Sequence, residues 1–347
     1  MKNLYKKSRH LCHGLKSLGF AAFAMFGTLQ SVNAQVNLYT FTQSSGTFNS
    51  IASSGALVAG SEATTEATND TSGWAVTIPF DFNFNNINYT SVYVNSNGGV
   101  IFGTTTSTSS TVISSSTAYS GAVGVMNRDL WGAFITSGVT TSGSNIITNV
   151  ASFKGIEVGK VLGNTTTNGI PTGTTVTAFD ETAGTITMSA PATLSSATAV
   201  IRYGTGKILT STEGNAPNRV FVIEWIGYND YATTSAGSNY LNFQLRLAES
   251  TNTVSIVYGP NFNVSTTART NQIGLRGASN SDFNNRLASA TGTWATTTAG
   301  TTNSASVHRD NLIFPASGQT FTWTPPTCIV PSGVTISNLT TATATVL

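Results

Sequence analysis

The sequence predicts an all-β protein whose main body is an antiparallel β-sandwich. Apolar and polar residues alternate with a period of two over long stretches, and no long stretch has the period of an amphipathic helix. Charged residues make up only 9% of the chain, and Thr, Ser, Asn and Gly are abundant instead. Aromatic residues reach 10%, which supplies side chains for a core and argues against disorder.

The clearest strand pattern lies between residues 74 and 102. Phe80, Phe82 and Phe84 fall on one face of a predicted strand, and the polar residues between them fall on the other. Asn97 and Gly98 then separate two apolar runs, and this pair favours a tight turn because it tolerates positive φ. We interpret the Asn-Gly segment as a structural turn, with a ligand-binding loop as the alternative.

Three further alternating runs predict an antiparallel meander at 219–228, 240–247 and 253–259. The segments 229–239 and 248–252 are predicted to be the loops between them. Each run has one apolar face, which implies a sheet packed on one side only and therefore a sandwich or a barrel.

The segment 136–203 has a different character and predicts a small inserted β-module. Residues 174–180 and 185–190 alternate on either side of a short turn, and a Gly/Pro turn precedes them. The sandwich is then discontinuous, comprising 35–135 and 204–326. The sequence GIPTGTTVTA at 169–178 resembles a repeat of phage-tail and bacterial surface proteins.

The first 34 residues predict a secretory signal peptide. A basic stretch precedes an apolar run that is too short to span a bilayer comfortably, and Val32 and Ala34 precede the predicted cleavage point. Cleavage would leave 11 basic residues against 14 acidic ones, so the formal charge would move from +2 to −3. We expect a secreted or cell-surface protein without a transmembrane segment in the mature chain. No basic stripe is present for nucleic acid.

A Pro-Pro break at Pro325 and Pro326 predicts a domain boundary. The segment 327–347 then resembles the first strands of a fibronectin type III domain, with Pro331 and Gly333 opening it. Because about seven strands are needed for such a sandwich, we expect this segment to be the truncated start of that domain.

The order of these motifs resembles the N-terminal β-sandwich of large secreted or surface proteins of the Bacteroidetes group. The segments that carry the resemblance are YTFTQSSGTFNSI at 39–51, the residues 77–103, MNRDLWG at 126–132, NRVFVIEW at 218–225 and TFTWTPP at 320–326. The chain is also similar to the extracellular nidogen-type domain, which has a strand, an Asn-Gly turn, a Phe-containing strand and a Trp/Asp motif. The resemblance covers about 35–135 and 204–326, and implies no catalytic residues.

Few residues in the predicted mature chain could carry catalysis. His308 and Cys328 are its only histidine and cysteine, too few for a catalytic triad or a zinc site on their own. We expect His308 to lie on the surface. An odd cysteine suggests a partner outside the visible chain. Glu224 lies within an apolar strand, near Gln244 or Arg246 of the next strand, and we interpret it as a cross-strand partner of Arg246 rather than a catalytic acid.

Asp129 is the candidate metal ligand. It lies in a predicted turn beside Arg128 and Trp131, and calcium is the metal that its oxygen atoms would suit. The alternatives are a turn cap or an ion pair. No Asp/Asn ladder accompanies Asp129, and no other cofactor is expected.

Tyr228, Asp230 and Tyr231 are the candidate ligand-binding residues. Exposed aromatics beside an acid or an amide suit sugar or protein recognition, and we expect these residues to share an exposed loop. The alternative is an ordinary loop that closes over the sheet edge.

These observations favour a secreted or cell-surface, non-catalytic module for adhesion or structural presentation. Its partner would be an extracellular protein or a polysaccharide. The second hypothesis is a carbohydrate-binding accessory region of a secreted polysaccharide-degrading enzyme. A third, an enzyme using Glu224, Asp129 or Asp230 as acids, is disfavoured by the shortage of histidine, cysteine and clustered carboxylates.

Overall fold

The computed structural model describes residues 35–65, 69–231, 239–327, 336–340 and 343–346. These residues form strands, connecting loops and two short 3-10 helices, Val36–Leu38 and Trp294–Thr296. In chain order the strands are β1 (Thr40–Ser45), β2 (Ala56–Leu57), β3 (Gly73–Phe84), β4 (Ile87–Asn95), β5 (Gly99–Phe102), β6 (Ala122–Asn127), β7 (Leu130–Trp131), β8 (Ala133–Thr140), β9 (Ile146–Ile147), β10 (Val176–Asp180), β11 (Thr185–Met188), β12 (Ser196–Gly204), β13 (Lys207–Glu213), β14 (Val220–Asp230), β15 (Leu241–Ala248), β16 (Val254–Tyr258), β17 (Arg269–Arg276), β18 (Phe283–Leu287), β19 (Thr298–Ala299), β20 (Val307–Arg309), β21 (Gln319–Thr324), β22 (Ile336–Thr340) and β23 (Thr343–Val346).

Two eight-stranded antiparallel sheets make up the main body. The first has the order β1-β21-β16-β15-β14-β13-β2, with β7 paired to β14. The second has the order β19-β18-β17-β6-β5-β4-β3, with β20 paired to β17. The predicted all-β class is confirmed.

One hydrophobic core joins the two sheets. Trp225 and Phe243 of the first sheet and Phe84 and Phe102 of the second belong to the same buried cluster. Phe84 and Phe102 stack with ring centroids 4.2 Å apart, and Trp225 and Phe243 stack at 5.1 Å. Because apolar side chains of both sheets share this core, the architecture is a β-sandwich.

The predicted alternation along β3 is confirmed. Phe80, Phe82 and Phe84 are buried, and Asp81 between them is exposed. Strands β4 and β5 pair across the predicted turn, where Gly98 has a φ of +68°. That conformation is readily adopted by glycine because it has no Cβ atom.

The predicted meander is also confirmed, since β14 pairs with β15 and β15 pairs with β16, both antiparallel. The prediction that β14 ends at Tyr228 is wrong, because the strand continues to Asp230. The short strand β7 pairs with its last two residues and thereby extends the sheet.

The middle segment, residues 136–203, supplies most of a second buried cluster, against which Tyr240 and Phe262 also pack. Strands β9, β10 and β11 form a three-stranded sheet, and β8 and β12 pair with each other. The predicted hairpin at 174–190 is confirmed by the pairing of β10 with β11. The cluster consists of Phe134, Ile147, Val150, Ile156, Leu162, Ile170, Val176, Ile186, Met188, Ala192, Ala199, Ile201 and Tyr203. A domain division at 136 and 203 stays a prediction.

Strands β22 and β23 pair antiparallel, and the fibronectin type III likeness of this segment stays a prediction. The signal-peptide segment 1–34 and Cys328 lie outside the described residues. In the described part of the chain, none of the helices has the length and apolar character needed to cross a membrane.

Candidate functional site

The pairing of β7 with the end of β14 brings the predicted site residues together. Trp131 lies opposite Asn229, and Leu130 lies opposite Asp230. The Tyr231 backbone N–H donates to the Asp129 carbonyl oxygen at 3.1 Å. Asp129, Asp230 and Tyr231 therefore occupy one corner of the sandwich, although about a hundred residues of sequence separate the first from the other two.

Asp230 is the charged centre of this corner. Its carboxylate accepts a hydrogen bond from Arg309 Nη2 at 2.6 Å and one from Asn239 Nδ2 at 2.8 Å. Arg128 Nε lies 2.8 Å from Asp230 Oδ1, and Arg269 Nε lies 3.8 Å from Oδ2. Asp230 thus holds three arginines and an amide in place.

The pKa values follow from these contacts. Burial by itself raises the pKa of Asp230, but the charges of Arg309, Arg128 and Arg269 outweigh burial, and the net pKa lies below its usual value. Burial lowers the pKa of Arg128, and the attraction of Asp230 only partly offsets it. Asp230 is therefore ionised at neutral pH and cannot act there as a general acid.

The predicted exposure of Tyr228 and Asp230 in a loop is wrong. Both lie within β14, and their exposed fractions are 0% and 1%. A bulge between Trp225 and Tyr228 shifts the strand register, and β7 then covers the end of β14. Burial raises the pKa of Tyr228 well above its ordinary value. A role for either residue in contacting a ligand stays a prediction.

Tyr231 is the exposed member of the predicted set, at 40%. Its ring packs edge-on against Trp131, with centroids 5.6 Å apart and an interplanar angle of 84°. Trp131 itself is buried, and its contact with the Tyr231 ring supports that ring at the surface. A supported aromatic ring on the surface suits recognition because little conformational entropy is lost when it binds.

Asp129 is exposed next to this ring. Partial burial and the charge of Asp70 raise its pKa, although Arg128 opposes them. Across the described ranges, no three Asp, Glu, His or Cys side chains cluster closely enough to hold a metal ion. The calcium hypothesis therefore rests on Asp129 alone and stays a prediction.

A polar cleft of about 360 Å³ borders Arg128 and Asp129. Apart from these two charged residues, it is lined by hydroxyl and amide side chains: Ser110, Thr111, Ser114, Asn127, Thr270, Gln272, Ser304 and Ser306. Two of its amides are fixed by the loop that precedes β6. Asn127 Oδ1 accepts from Val112 N at 2.7 Å, and Gln272 Oε1 accepts from Ile113 N at 3.1 Å. The cleft is therefore preorganised.

The Asn-Gly turn is structural, and it also positions this corner. The side chain of Asn97 is almost completely buried. Its Oδ1 atom accepts from Leu130 N at 2.7 Å, and its Nδ2 atom donates to Thr108 O at 2.7 Å. Asn97 therefore connects both β7 and the loop that precedes β6 to the Asn97-Gly98 turn. Sequence reasoning assigned this residue only to the turn, and the sequence carries no signal for its distant partners.

Glu224 is held by three hydrogen-bond donors. Its carboxylate accepts from Ser50 Oγ at 2.7 Å, Ile51 N at 2.7 Å and Gln244 Nε2 at 2.8 Å. Gln244 is one of the two residues expected near Glu224, and this proximity is confirmed. The predicted cross-strand pair with Arg246 is wrong: Arg246 lies opposite Val222 and forms an ion pair with Glu213 at the end of β13.

The predicted surface position of His308 is wrong. The residue lies in β20 and is buried, with 8% of its surface exposed. Its Nε2 atom lies 2.9 Å from Asp310 Oδ2. This hydrogen bond, together with the backbone donors of Leu312 and Ile313, lowers the pKa of Asp310. The sequence could not indicate burial because β20 is only three residues long.

Comparison with known proteins supports the nidogen-type resemblance. A family model described as NIDO related matches residues 38–148 and 162–325. The matched residues include strands of both sheets of the sandwich and part of the middle segment. No curated protein and no solved structure matches the chain.

Proposed function

This chain belongs to the NIDO-related family, and from that premise we propose that it is a non-catalytic extracellular module for adhesion or structural presentation. A nidogen-related domain is compatible with an extracellular location. Export by the predicted signal peptide and a position at the cell surface are part of the proposal.

One observation carries the non-catalytic assignment: of the acid-base residues singled out from the sequence, Glu224, Asp230 and His308 are already engaged inside the protein, and only Asp129 is exposed. Three donors hold Glu224, and Asp230 is surrounded by arginines. His308 is buried against Asp310. A catalytic acid or base must reach the substrate proton within hydrogen-bond distance, and these buried side chains are poorly placed to do so.

The corner built by β7 and β14 supports a binding role. It presents the exposed ring of Tyr231, the exposed carboxylate of Asp129 and the polar cleft beside Arg128. Rigid aromatic side chains and arginine are enriched at protein interfaces. An extracellular protein or a polysaccharide is the partner that this surface suits.

Adhesion is tested with beads that carry the purified protein. Their retention on surfaces coated with extracellular proteins or polysaccharides is compared for the wild type and for the double variant Tyr231→Ala, Asp129→Asn. We expect the wild type to be retained on at least one coating and the double variant to be released under gentle flow. Equal retention of the wild type and the double variant would show that this corner takes no part in adhesion.

Catalysis is tested by incubating the protein with the same polysaccharides and with peptide substrates. We expect no product with the wild type. Hydrolysis that disappears in Glu224→Gln, while the variant remains folded, would overturn the non-catalytic assignment.

The second candidate is a carbohydrate-binding accessory region. The observation that favours it is the abundance of hydroxyl and amide groups in the polar cleft beside Arg128. Such groups can exchange hydrogen bonds with sugar hydroxyls. Under this alternative, the chain would bind a polysaccharide on behalf of a catalytic domain elsewhere in the same protein.

A further inference from the structure

A second cleft lies on a part of the sandwich not used by Tyr231. It has a volume of about 610 Å³ and is lined by Gly60, Glu62, Thr64, Asn69, Ser72, Gly73 and Trp74. The Asn69 carbonyl oxygen accepts from Gly132 N at 3.2 Å, so the cleft is tied to the segment that follows β7. The described lining residues combine the aromatic ring of Trp74, the carboxylate of Glu62 and several uncharged polar groups.

Trp74 provides the apolar side of this cleft. It lies in β3 opposite Val94, packs against the edge of the main core and remains partly exposed. Gly60 lies beside the indole: a Cβ atom at this position would be 3.4 Å from Trp74 Nε1. Because Gly60 has no side chain and a φ of +77°, this edge of the ring remains uncovered from that side.

The indole N–H of Trp74 also has unused bonding capacity. The described residues provide no hydrogen-bond acceptor for Trp74 Nε1. The corresponding atoms of Trp225, Trp294 and Trp323 each donate to a protein oxygen. Trp74 can therefore donate to a ligand oxygen at the cleft wall.

Glu62 provides the charged acceptor. Its side chain is 44% exposed, and Lys160 Nζ lies 3.6 Å from its Oε1 atom. Lys160 is shared with Glu157 at 3.7 Å. Both contacts are longer than an ordinary hydrogen bond, so the Glu62 carboxylate retains acceptor capacity for a ligand hydroxyl. The exposed hydroxyl of Thr64 adds a second polar group.

We propose that this cleft binds a neutral carbohydrate. A sugar ring has an apolar C–H face, which suits the indole, and a rim of hydroxyl groups, which suits Glu62, Thr64 and Trp74 Nε1. A ligand pocket of this kind combines an aromatic wall with a few placed polar groups. An acidic sugar is disfavoured because the Glu62 carboxylate, which lines the cleft, would repel it.

This inference deepens the carbohydrate-binding alternative of the proposed function, but it uses different residues. It is tested by affinity electrophoresis of the full chain in gels that contain a soluble β-glucan, galactomannan or xylan, with acidic alginate in a fourth gel. We expect at least one neutral polysaccharide to retard the wild type and alginate to leave it unretarded. Retardation by none of the neutral polysaccharides would overturn the proposal.

Glu62→Gln is the decisive variant because its side chain is well exposed and its replacement should leave the fold intact. We expect Kd for the retarding polysaccharide to rise about tenfold, as for the loss of one charge-assisted hydrogen bond. Lys160→Gln is the matched control: it breaks the same ion pair but keeps the carboxylate, so it should bind as the wild type does. An equal loss in both variants would overturn the proposed role of the carboxylate.

Trp74→Phe provides the second readout, since it keeps an apolar ring and removes the N–H donor. We expect weaker binding with an unchanged unfolding midpoint. Binding that is lost in Tyr231→Ala but unchanged in Glu62→Gln and Trp74→Phe would place the sugar on the Tyr231 surface. That result would contradict this inference but would be consistent with the proposed function.

Discussion

The Nη2 atom of Arg309 lies 2.6 Å from Oδ1 of Asp230, and the two side chains are only 1% and 2% exposed. Arg309 belongs to β20 of the second sheet, and Asp230 ends β14 of the first. This ion pair therefore joins the two sheets of the sandwich. Removing one partner of a buried pair leaves an uncompensated charge, which is far more costly than losing an exposed pair.

Asp230→Asn should strongly destabilise the protein. The variant keeps the shape of the side chain but leaves Arg309 and Arg128 without their carboxylate. We expect the free energy of unfolding to fall by about 3–5 kcal/mol, measured by chemical denaturation. Asp129→Asn is the control, because its side chain is exposed, and it should change the value by less than about 0.5 kcal/mol. Similar losses in both variants would contradict the anchoring role of Asp230.

The contribution of Asp230 should also depend on pH. Its pKa is lowered in the folded protein, so its stabilising effect is complete above the unfolded value of about 3.9 and is lost as the pH falls through the folded value. We expect the difference in unfolding free energy between the wild type and Asp230→Asn to shrink below about pH 4. A difference that remains constant from pH 6 to pH 2 would show that ionisation of Asp230 is not its source.

Asn97→Ala should loosen the polar cleft. The variant removes the acceptor for Leu130 N and the donor to Thr108 O, which leaves buried backbone groups unpaired. We expect the free energy of unfolding to fall by about 1–3 kcal/mol. Amide hydrogen exchange in the loop 104–117 should become faster. Asn88→Ala, on the exposed end of the β3–β4 hairpin, serves as the control and should leave exchange in that loop unchanged.

Glu224→Gln should lower stability without affecting any reaction. Its Oε2 atom accepts from both Ile51 N and Gln244 Nε2, and an amide nitrogen placed there would face a donor. We expect the free energy of unfolding, measured by thermal or chemical denaturation, to fall by about 1–3 kcal/mol. Glu213→Gln breaks a partly exposed pair with Arg246 and should cost no more than about 1 kcal/mol. A smaller loss of unfolding free energy in Glu224→Gln than in Glu213→Gln would contradict this prediction.

Removal of the middle segment should leave a folded sandwich. Ser137 and Val200 lie opposite each other in the β8–β12 pair, so residues 138–199 can be replaced by a two-residue Asn-Gly turn. We expect a soluble protein with a single cooperative unfolding transition. The shortened β8–β12 hairpin leaves Phe134 and Tyr203 without most of their cluster, so a lower midpoint is expected. Aggregation would argue against an inserted module.

Several features of the fold could be predicted from the sequence because they depend on neighbouring residues. The alternation at Phe80, Phe82 and Phe84 is a local property of an extended chain, and the structure buries all three. The turn at Asn97 and Gly98 follows equally from local backbone preference. The meander was predictable for the same reason.

The candidate site was only partly predictable. Sequence reasoning selected Asp129, Asp230 and Tyr231, which the structure brings to one corner. It placed Asp230 in an exposed loop, although three arginines surround this residue. Asp230 and Arg309 are separated by 79 residues, and no local pattern indicates that they meet.

The sequence by itself therefore determined the all-β class, the main strands and the turns between them, since these follow from side-chain alternation and backbone preference within a few residues. Only the tertiary structure decided which polar groups are buried and what they contact. The short strands β7 and β20 have too few residues for a periodic signal, yet they cover Asp230 and supply Arg309. Burial of a polar group depends on strands and loops from distant parts of the chain that pack over it. The sequence pattern around that group contains no information about them.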